Sequence, residues 1–488
     1  MKKLIATLLL LIQFQTNALV KKASQLYMNS QSINKNASIA KELYNSKYYF
    51  SSVAFAKEHL VSGKDFTKGF EILLEELVLK TGTMSFYGLK DQILSKHKSP
   101  SLNFILGLRS FHYKNYQGAI SALMRIPKDH RFTPEAYFTM GSSYNLLNKL
   151  NKAREAYDIC ILNAETFKNK SKNKKLIRYF SIIKESCIIH KARILFKERK
   201  FEQALSAYDE IPKRSYRWPY ILLEKAWASY YLGDYNRTLG ILVTYRSPLM
   251  NSYFFPEAEV LSSLAYFRLC LWKDSLDLVK QYYSIYRPHS DALKKFLLTN
   301  KRSQTYFLQM LLRPIKEMEN KNPFIRNLMT QVRKKVKFSL DLVSFKKAQK
   351  EIQLINKLKN SPLKSKMKKA VTGALSWRAK HLNHYIKKQM FGFINDMHKF
   401  SYEMFNIKLE ISSLKRDLVY SNKELVSDRS RGSLENVKRT DRQHFFTFNG
   451  EFWGDELGEY SFGLKSNCQR VRKKRSLVTN ANRKRRRR

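Results

Sequence analysis

Glycine and proline are scarce, 16 and 11 among 488 residues, which leaves few turns and argues against a β-sandwich, a β-barrel or a glycine-dependent phosphate cradle. Cysteine is scarcer still. The four are widely spaced with no CxxC pair, so neither a disulfide-dense scaffold nor a zinc ribbon or finger fits. Acidic residues are in deficit, 40 Asp and Glu against 91 Lys and Arg, for a formal charge of +51. That balance calls for a polyanionic partner, a mutational bias toward lysine, or both. Patterns for catalysis are also missing: no glycine-rich phosphate loop, no HExxH and no nucleophile elbow. The chain therefore reads as non-enzymatic, with no catalytic residue, cofactor or metal. His381 and His384 lie one helical turn apart beside Lys380, but no carboxylate or cysteine completes a metal set, and a solvated helix face is the simpler reading. What remains is 43% hydrophobic residues in a chain long enough for roughly three domains or one elongated helical array. Mostly helix is expected.

The first residues set an expectation about compartment. Met1-Lys2-Lys3, the apolar run Leu4 to Ile12 and the polar stretch ending at Ala18 are ordered as a cleavable secretory signal over 1–18. The run is short of the about 20 residues a bilayer span needs, and no cysteine follows it to carry a lipid. An uncleaved apolar helix is the alternative. With no other segment of transmembrane length free of charges, the mature chain is expected to be exported, periplasmic or outer-membrane-associated, without a transmembrane span.

A repeat runs through 37–290. Gly107 and Ala119 stand twelve apart, as do Gly141 and Ala153, and the pairs are offset by 34 residues. Ala192 with Ala204 and Ala226 with Thr238 repeat both spacings, and Tyr157 matches Tyr208. This is the tetratricopeptide (TPR) pattern, a 34-residue helix-turn-helix whose small positions let two helices touch. Five to six units are expected, the first degenerate, with first helices lining a groove suited to extended or helical peptides. Phe104, Phe111, Phe138, Asn145, Arg193, Phe196, Trp227 and Tyr230 would face it, unless the aromatics merely fill space between units. Cys160, Cys187 and Cys270 read as small core residues; oxidation of a pair is open, without indication of which.

Over 291–426 long helices are expected. One runs from Phe324 to Lys359 with apolar positions Leu328, Val332, Val336, Leu340, Val343, Ile352 and Ile355. Asn360-Ser361-Pro362 stops it, and Ser361 can cap a second helix. In that helix Asn383, Ile386, Met390, Phe393, Met397, Phe400, Met404, Ile407, Ile411, Leu414, Leu418, Ser421 and Leu425 form a heptad seam. Its partner would be the first helix folded back as a hairpin, or the same 383–425 seam in a second copy. Between Lys321 and Thr440 the net charge is +19.

The C-terminal region divides into a polar linker, 427–444, an aromatic acidic segment, 445–468, and a basic tail, 469–488, with eleven Lys/Arg and no acid. Asn449-Gly450 between alternating aromatics predicts a hairpin turn. Phe448, Phe452, Trp453, Asp455, Glu456 and Tyr460 are its docking candidates, on the helical body or on a partner. The tail reads as disordered, and Arg470, Arg472, Lys473, Lys474, Arg475, Arg483, Lys484, Arg485, Arg486, Arg487 and Arg488 are candidate contacts to a polyanion: nucleic acid, lipopolysaccharide or cell-wall polymer. A nuclear or cytoplasmic address through the same basic runs would require the signal segment to be inactive.

Arg217-Trp218-Pro219 with Glu224-Lys225-Ala226-Trp227, Ser247-Pro248, Phe255-Pro256-Glu257-Ala258, and the ending Asn449-Gly450-Glu451-Phe452-Trp453 through Asp455-Glu456-Leu457-Gly458 and Tyr460 to Cys468 resemble a family of exported bacterial TPR proteins associated with adventurous gliding motility and the cell envelope. The resemblance implies a non-enzymatic component of an envelope machine that binds envelope proteins. Gln469–Arg488 extends past the family's usual end near the cysteine. The expected fold class is all-α: a TPR-type solenoid, then a long helical hairpin, then a small β-hairpin-like segment.

Overall fold

The computed structural model describes residues 20–28, 34–63, 65–251, 253–300, 303–313, 322–425, 437, 450–469 and 471–473. The signal-like segment 1–18, most of the linker, Asn449 and the tail apart from 469 and 471–473 lie outside them. The fold is all-α. In chain order the helices are α1 (Lys35–Asn45), α2 (Tyr49–Val61), α3 (Lys68–Thr81), α4 (Asp91–Ser95), α5 (Pro100–His112), α6 (Tyr116–Leu123), α7 (Thr133–Leu146), α8 (Leu150–Lys170), α9 (Lys174–Lys197), α10 (Phe201–Asp209), α11 (Trp218–Tyr231), α12 (Tyr235–Val243), α13 (Pro256–Arg268), α14 (Trp272–Thr299), α15 (Tyr306–Leu312), α16 (Pro323–Lys334), α17 (Val336–Asn356) and α18 (Pro362–Tyr420). Among the described residues none is long and apolar enough to cross a membrane.

The 34-residue period has three local causes. Pro100, Pro134, Pro219 and Pro256 sit in the first turn of α5, α7, α11 and α13, where the missing N–H costs nothing. Each helix pair then turns through one residue in the left-handed region: Lys114 (φ 64°), Asn148 (57°), Arg199 (61°), Gly233 (77°) and Cys270 (56°). Small residues bring the two helices together. At Gly141 a Cβ would lie 2.6 Å from the ring of Tyr157, which is fully buried.

The chain forms two compact units, residues 1–194 with 334–385 and residues 195–333 with 386–488. In the first, α17 and the start of α18 form an antiparallel hairpin, on 362–385 and not along the 383–425 seam where one is expected, with Phe338 stacked on Tyr385 at 6.0 Å and Arg378 Nε donating to Ser344 Oγ at 3.3 Å. This hairpin caps the ends of the repeat helices. The Glu351 carboxylate accepts from the N–H groups of Phe50 and Ser51 at 2.9 and 2.8 Å, in the first turn of α2. Lys347 donates to the Lys80 carbonyl and Arg378 to that of Thr81, both at 3.0 Å, at the end of α3. Anion at a helix N-terminus and cation at a C-terminus both match the backbone dipole. Part of the positive charge of this region is therefore structural.

Three expectations are corrected here. The single helix from Phe324 to Lys359 is two helices, broken where Lys335 is extended (ψ 131°). The break resets the phase: Phe338, Leu342, Phe345, Ala348 and Ile355 are buried, whereas Leu340 and Val343 are 63% and 49% exposed. The heptad seam is also covered by something other than a hairpin partner or a second copy. In the second unit Phe400, Met404, Ile407 and Ile411 pack with Val260 of α13 and with Val279 and Tyr282 of α14. Tyr282 and Tyr283 donate from their hydroxyls to the carbonyls of Met397 and Ser401, each at 2.8 Å. The last repeat pair thus buries the seam as far as Ile411, and beyond it Leu414 is 39% exposed. The strands are also elsewhere than expected. β1 (Lys423–Leu425) pairs antiparallel with β2 (Val471–Lys473), so the first tail residues lie in a ladder and no strand flanks Gly450 among the described residues.

Candidate functional site

All four cysteines are paired in two disulfides; Cys160 and Cys187 are also fully buried, as their reading as core residues expects, whereas Cys270 sits in a turn. Cys160–Cys187 links α8 to α9, the two long helices that absorb the extra residues where the repeat spacing lengthens. Cys270–Cys468 fastens the C-terminal segment to the left-handed turn between α13 and α14. With that bond as its end, 450–468 is a strap on the second unit, with a turn at 454–458 and an extended run after it; the other arm of the expected hairpin, 445–449, lies outside the described residues.

The strap is held chiefly through its backbone. Gly458 N–H donates to Thr244 Oγ1 at 2.9 Å. Phe462 N–H donates to the Asn236 carbonyl at 3.0 Å. The Asn236 amide then pairs with both main-chain groups of Leu464, accepting from its N–H at 3.0 Å and donating to its carbonyl at 3.1 Å. Asn467 N–H donates to the Leu269 carbonyl at 2.9 Å. Two features of α12 allow this. Asp234 caps it through Arg237 N–H, fixing the first turn that carries Asn236. Gly240 leaves its surface bare, and a methyl there would overlap the Tyr460 carbonyl. Phe462 and Leu464 complete the contact by packing with Leu239, Ala265, Leu269 and Leu271.

The docking candidates from sequence sit mostly on the outer side of this strap. Trp453 is 59% exposed, and Asp455 and Glu456 are exposed. Lys213 reaches the Asp455 carbonyl and, at 2.8 Å, the Glu459 carboxylate. Phe452 and Tyr460 are half-buried and meet edge to face at 5.9 Å. Phe448 lies outside the described residues. The docking is done by Leu457 and Gly458, which the sequence marks only as part of the resembling block, and by Phe462, Leu464 and Asn467, which carry no reactive group to single them out. Trp218 and Leu222, in or beside the blocks that carry the family resemblance, approach Gly458, and Trp227 donates to Glu257 at 2.9 Å; those scattered blocks meet around the strap.

The groove candidates divide. In the first unit Phe104 is 2% exposed and stacked on Phe132 at 4.2 Å, so it is core, a correction to its place in the groove. Phe138 is half-buried against Tyr157 and His190. Phe111 and Asn145 are half-buried, and Arg193 is exposed. In the second unit Phe196, Phe201, Tyr231 and Trp227 form an aromatic ladder, with Tyr231 stacked at 5.1 Å on Phe201 and at 5.8 Å on Trp227. Tyr231 is 55% exposed, so the ladder faces solvent. Tyr230 instead accepts from Arg268 Nε at 3.0 Å and packs against the cluster under the strap. Of the tail candidates, Arg472 and Lys473 fall in β2; Arg470, Lys474, Arg475, Arg483, Lys484, Arg485, Arg486, Arg487 and Arg488 lie outside the described residues. His381 lies 3.9 Å from Asp341, stacked on Trp377, and burial lowers its pKa. Among the described residues no group of three or more His, Cys, Asp or Glu could hold a metal ion.

No protein family model matches the chain, and no curated protein does. Among solved structures it is similar to the apo form of RapI, with 12% identity over 75% of this chain and 97% of that one and a TM-score of 0.32. It is also similar to the Rap conjugation gene regulator of the plasmid pLS20 in complex with the Phr peptide, with 11% identity over 71% and 95% and a TM-score of 0.27. At such scores the likeness is loose.

Proposed function

We propose that the chain is a non-enzymatic helical-repeat scaffold that captures extended segments of partner proteins, and that it works as an exported component of a bacterial cell-envelope assembly of the gliding-motility type. The observation that carries the binding reading is the two-point pairing of Asn236 with the Leu464 backbone: a repeat helix of this chain already holds an extended peptide in fixed register. A backbone clamp accepts many sequences, and adjacent apolar pockets select among them. The aromatic ladder of Phe196, Phe201, Trp227 and Tyr231 is the open surface on which a partner would be held. Export is supported by the signal-like ordering of 1–18 and by the two disulfides, which suit an oxidising compartment. The envelope assignment is supported by the family resemblance.

Photocrosslinking from position 231 in intact cells, with identification of the captured protein, tests the reading. A specific envelope protein is expected, and it should be lost in Trp227→Ala with Phe201→Ala. Capture that persists undiminished in that variant refutes the ladder as the site. N-terminal sequencing of the mature protein tests export, with cleavage expected after Ala18. Binding to a polyanion through the basic tail is discriminated by salt: each phosphate contact steepens the loss of affinity with rising salt, and deleting 469–488 would flatten it.

A further inference from the structure

A cavity of about 110 Å³ lies in the second unit between α12, α13 and the strap. Its wall is aromatic, built from Tyr245, Tyr253, Phe255, Tyr266, Tyr286 and Phe462. Phe255 is the hub, 4.7 Å from Tyr245 and 6.1 Å from Tyr253, whose ring lies nearly parallel to it. The Tyr245 hydroxyl is anchored to the Pro219 carbonyl at 2.6 Å, which fixes that ring. Two charged side chains enter this wall. Glu259, half-buried, comes from α13, and Arg246, exposed, from the short 3-10 turn after α12. Among the described residues neither has a hydrogen-bond or ion-pair partner. Burial raises the Glu259 pKa, and Arg246 opposes the rise without cancelling it.

A carboxylate set among aromatic rings is what an ammonium group needs away from water, because ring faces and carboxylate both stabilise positive charge. An exposed guanidinium on the same cavity supplies the opposite requirement and favours a carboxylate or phosphate. The unpaired charges therefore favour a ligand that carries both signs. We propose that this cavity binds a small zwitterion, an ammonium group beside a carboxylate, with the ammonium toward Glu259 and the acid toward Arg246. Size limits the class. A cavity of roughly 150 Å³ holds the six carbons of benzene, so this one takes about five non-hydrogen atoms, the size of glycine. Phe462 belongs to the strap, so the site is complete only when the strap is docked. It is independent of partner capture by the repeats.

The test is calorimetry and saturation-transfer NMR on the full oxidised protein with glycine and sarcosine as probes, and methylammonium and acetate as half-ligands. One glycine or sarcosine per chain should bind at roughly millimolar affinity or tighter, with each half-ligand at least tenfold weaker. Glu259→Gln and Arg246→Gln should each lose at least tenfold. Failure of both zwitterions to bind overturns the proposal. So does methylammonium binding as tightly as glycine with Arg246→Gln unaffected, which would make this a simple cation site. If a variant melts below the wild type, the comparison of zwitterions with half-ligands on the wild-type protein decides alone.

Discussion

Removing the bond at the end of the strap isolates what that bond contributes. Cys270–Cys468 closes a loop across a sequence separation of 198 residues. In chain-entropy terms a loop of that length withdraws about 5 kcal/mol of freedom from the unfolded chain, against roughly 3.5 kcal/mol for the shorter Cys160–Cys187 loop. Cys468→Ser should therefore destabilise the second unit by up to about 5 kcal/mol, leaving its non-covalent contacts in place. Cys270 adds a separable effect. It sits at φ 56° in the turn between α13 and α14, where a side chain costs about 1 kcal/mol relative to glycine. Cys270→Gly loses the same bond and recovers that strain, whereas Cys270→Ser only loses the bond. In urea unfolding the midpoints should fall in the order wild type, Cys270→Gly, then Cys270→Ser together with Cys468→Ser. Proteolytic release of 450–468 should follow the same order at lower denaturant, since the strap opens before its unit does. Equal midpoints for oxidised wild type and Cys468→Ser would refute the loop-closure reasoning. Equal midpoints for Cys270→Gly and Cys270→Ser would refute the turn-strain part alone.

Other expectations concern the strap, the hairpin and the seam. Gly240→Ala puts a methyl into the Tyr460 carbonyl, so 450–460 should become protease-sensitive while Cys468 stays bonded; an unchanged digest counts against the close approach. Burial lifts Glu351 to about 7 from an ordinary value of 4.5, despite the N–H groups that favour its anion. A carboxyl raised on folding contributes stability that is full below its unfolded pKa and lost as pH rises through the folded one, here over about pH 4.5 to 7, by at most about 3 kcal/mol. Stability measured across that window should fall with pH in the wild type and less so in Glu351→Gln; parallel profiles would contradict the assignment. Tyr282→Phe removes a buried hydroxyl from the Met397 carbonyl and should cost about 1 kcal/mol. A thermal shift no larger than that of an exposed Tyr402→Phe control would show that the bond contributes nothing.

Which parts of this architecture were readable from sequence follows from how each is encoded. The repeat pairs are local: prolines, small contact residues and a left-handed turn recur with the period, so spacing alone exposes them. The hairpin of α17 and α18 was readable in existence but not in facing. Val336, Leu340 and Val343 form as regular a helical stripe as Phe338, Leu342 and Phe345, and only the extended Lys335 decides that the second stripe is buried. The seam from Ile386 to Ile411 was readable as a stripe that must be covered, but a stripe does not name its cover. Heptad spacing is met equally by a second copy and by α13 and α14. The Cys270–Cys468 bond was hidden for a similar reason, because four cysteines allow three pairings and no local pattern selects one. The strap shows the sharpest divergence. Trp453, Asp455 and Glu456 attract notice by their chemistry and face solvent, while the seat is made by backbone groups, by Asn236 and by the absent side chain of Gly240. A backbone-held segment puts little constraint on its own side chains, which frees its outer face to carry charge and aromatic surface for contacts elsewhere. The acidic, aromatic character of 450–460 is therefore only partly used in holding the strap down, where Glu459 meets Lys213 and Phe452 meets Tyr460, while Trp453, Asp455 and Glu456 face solvent.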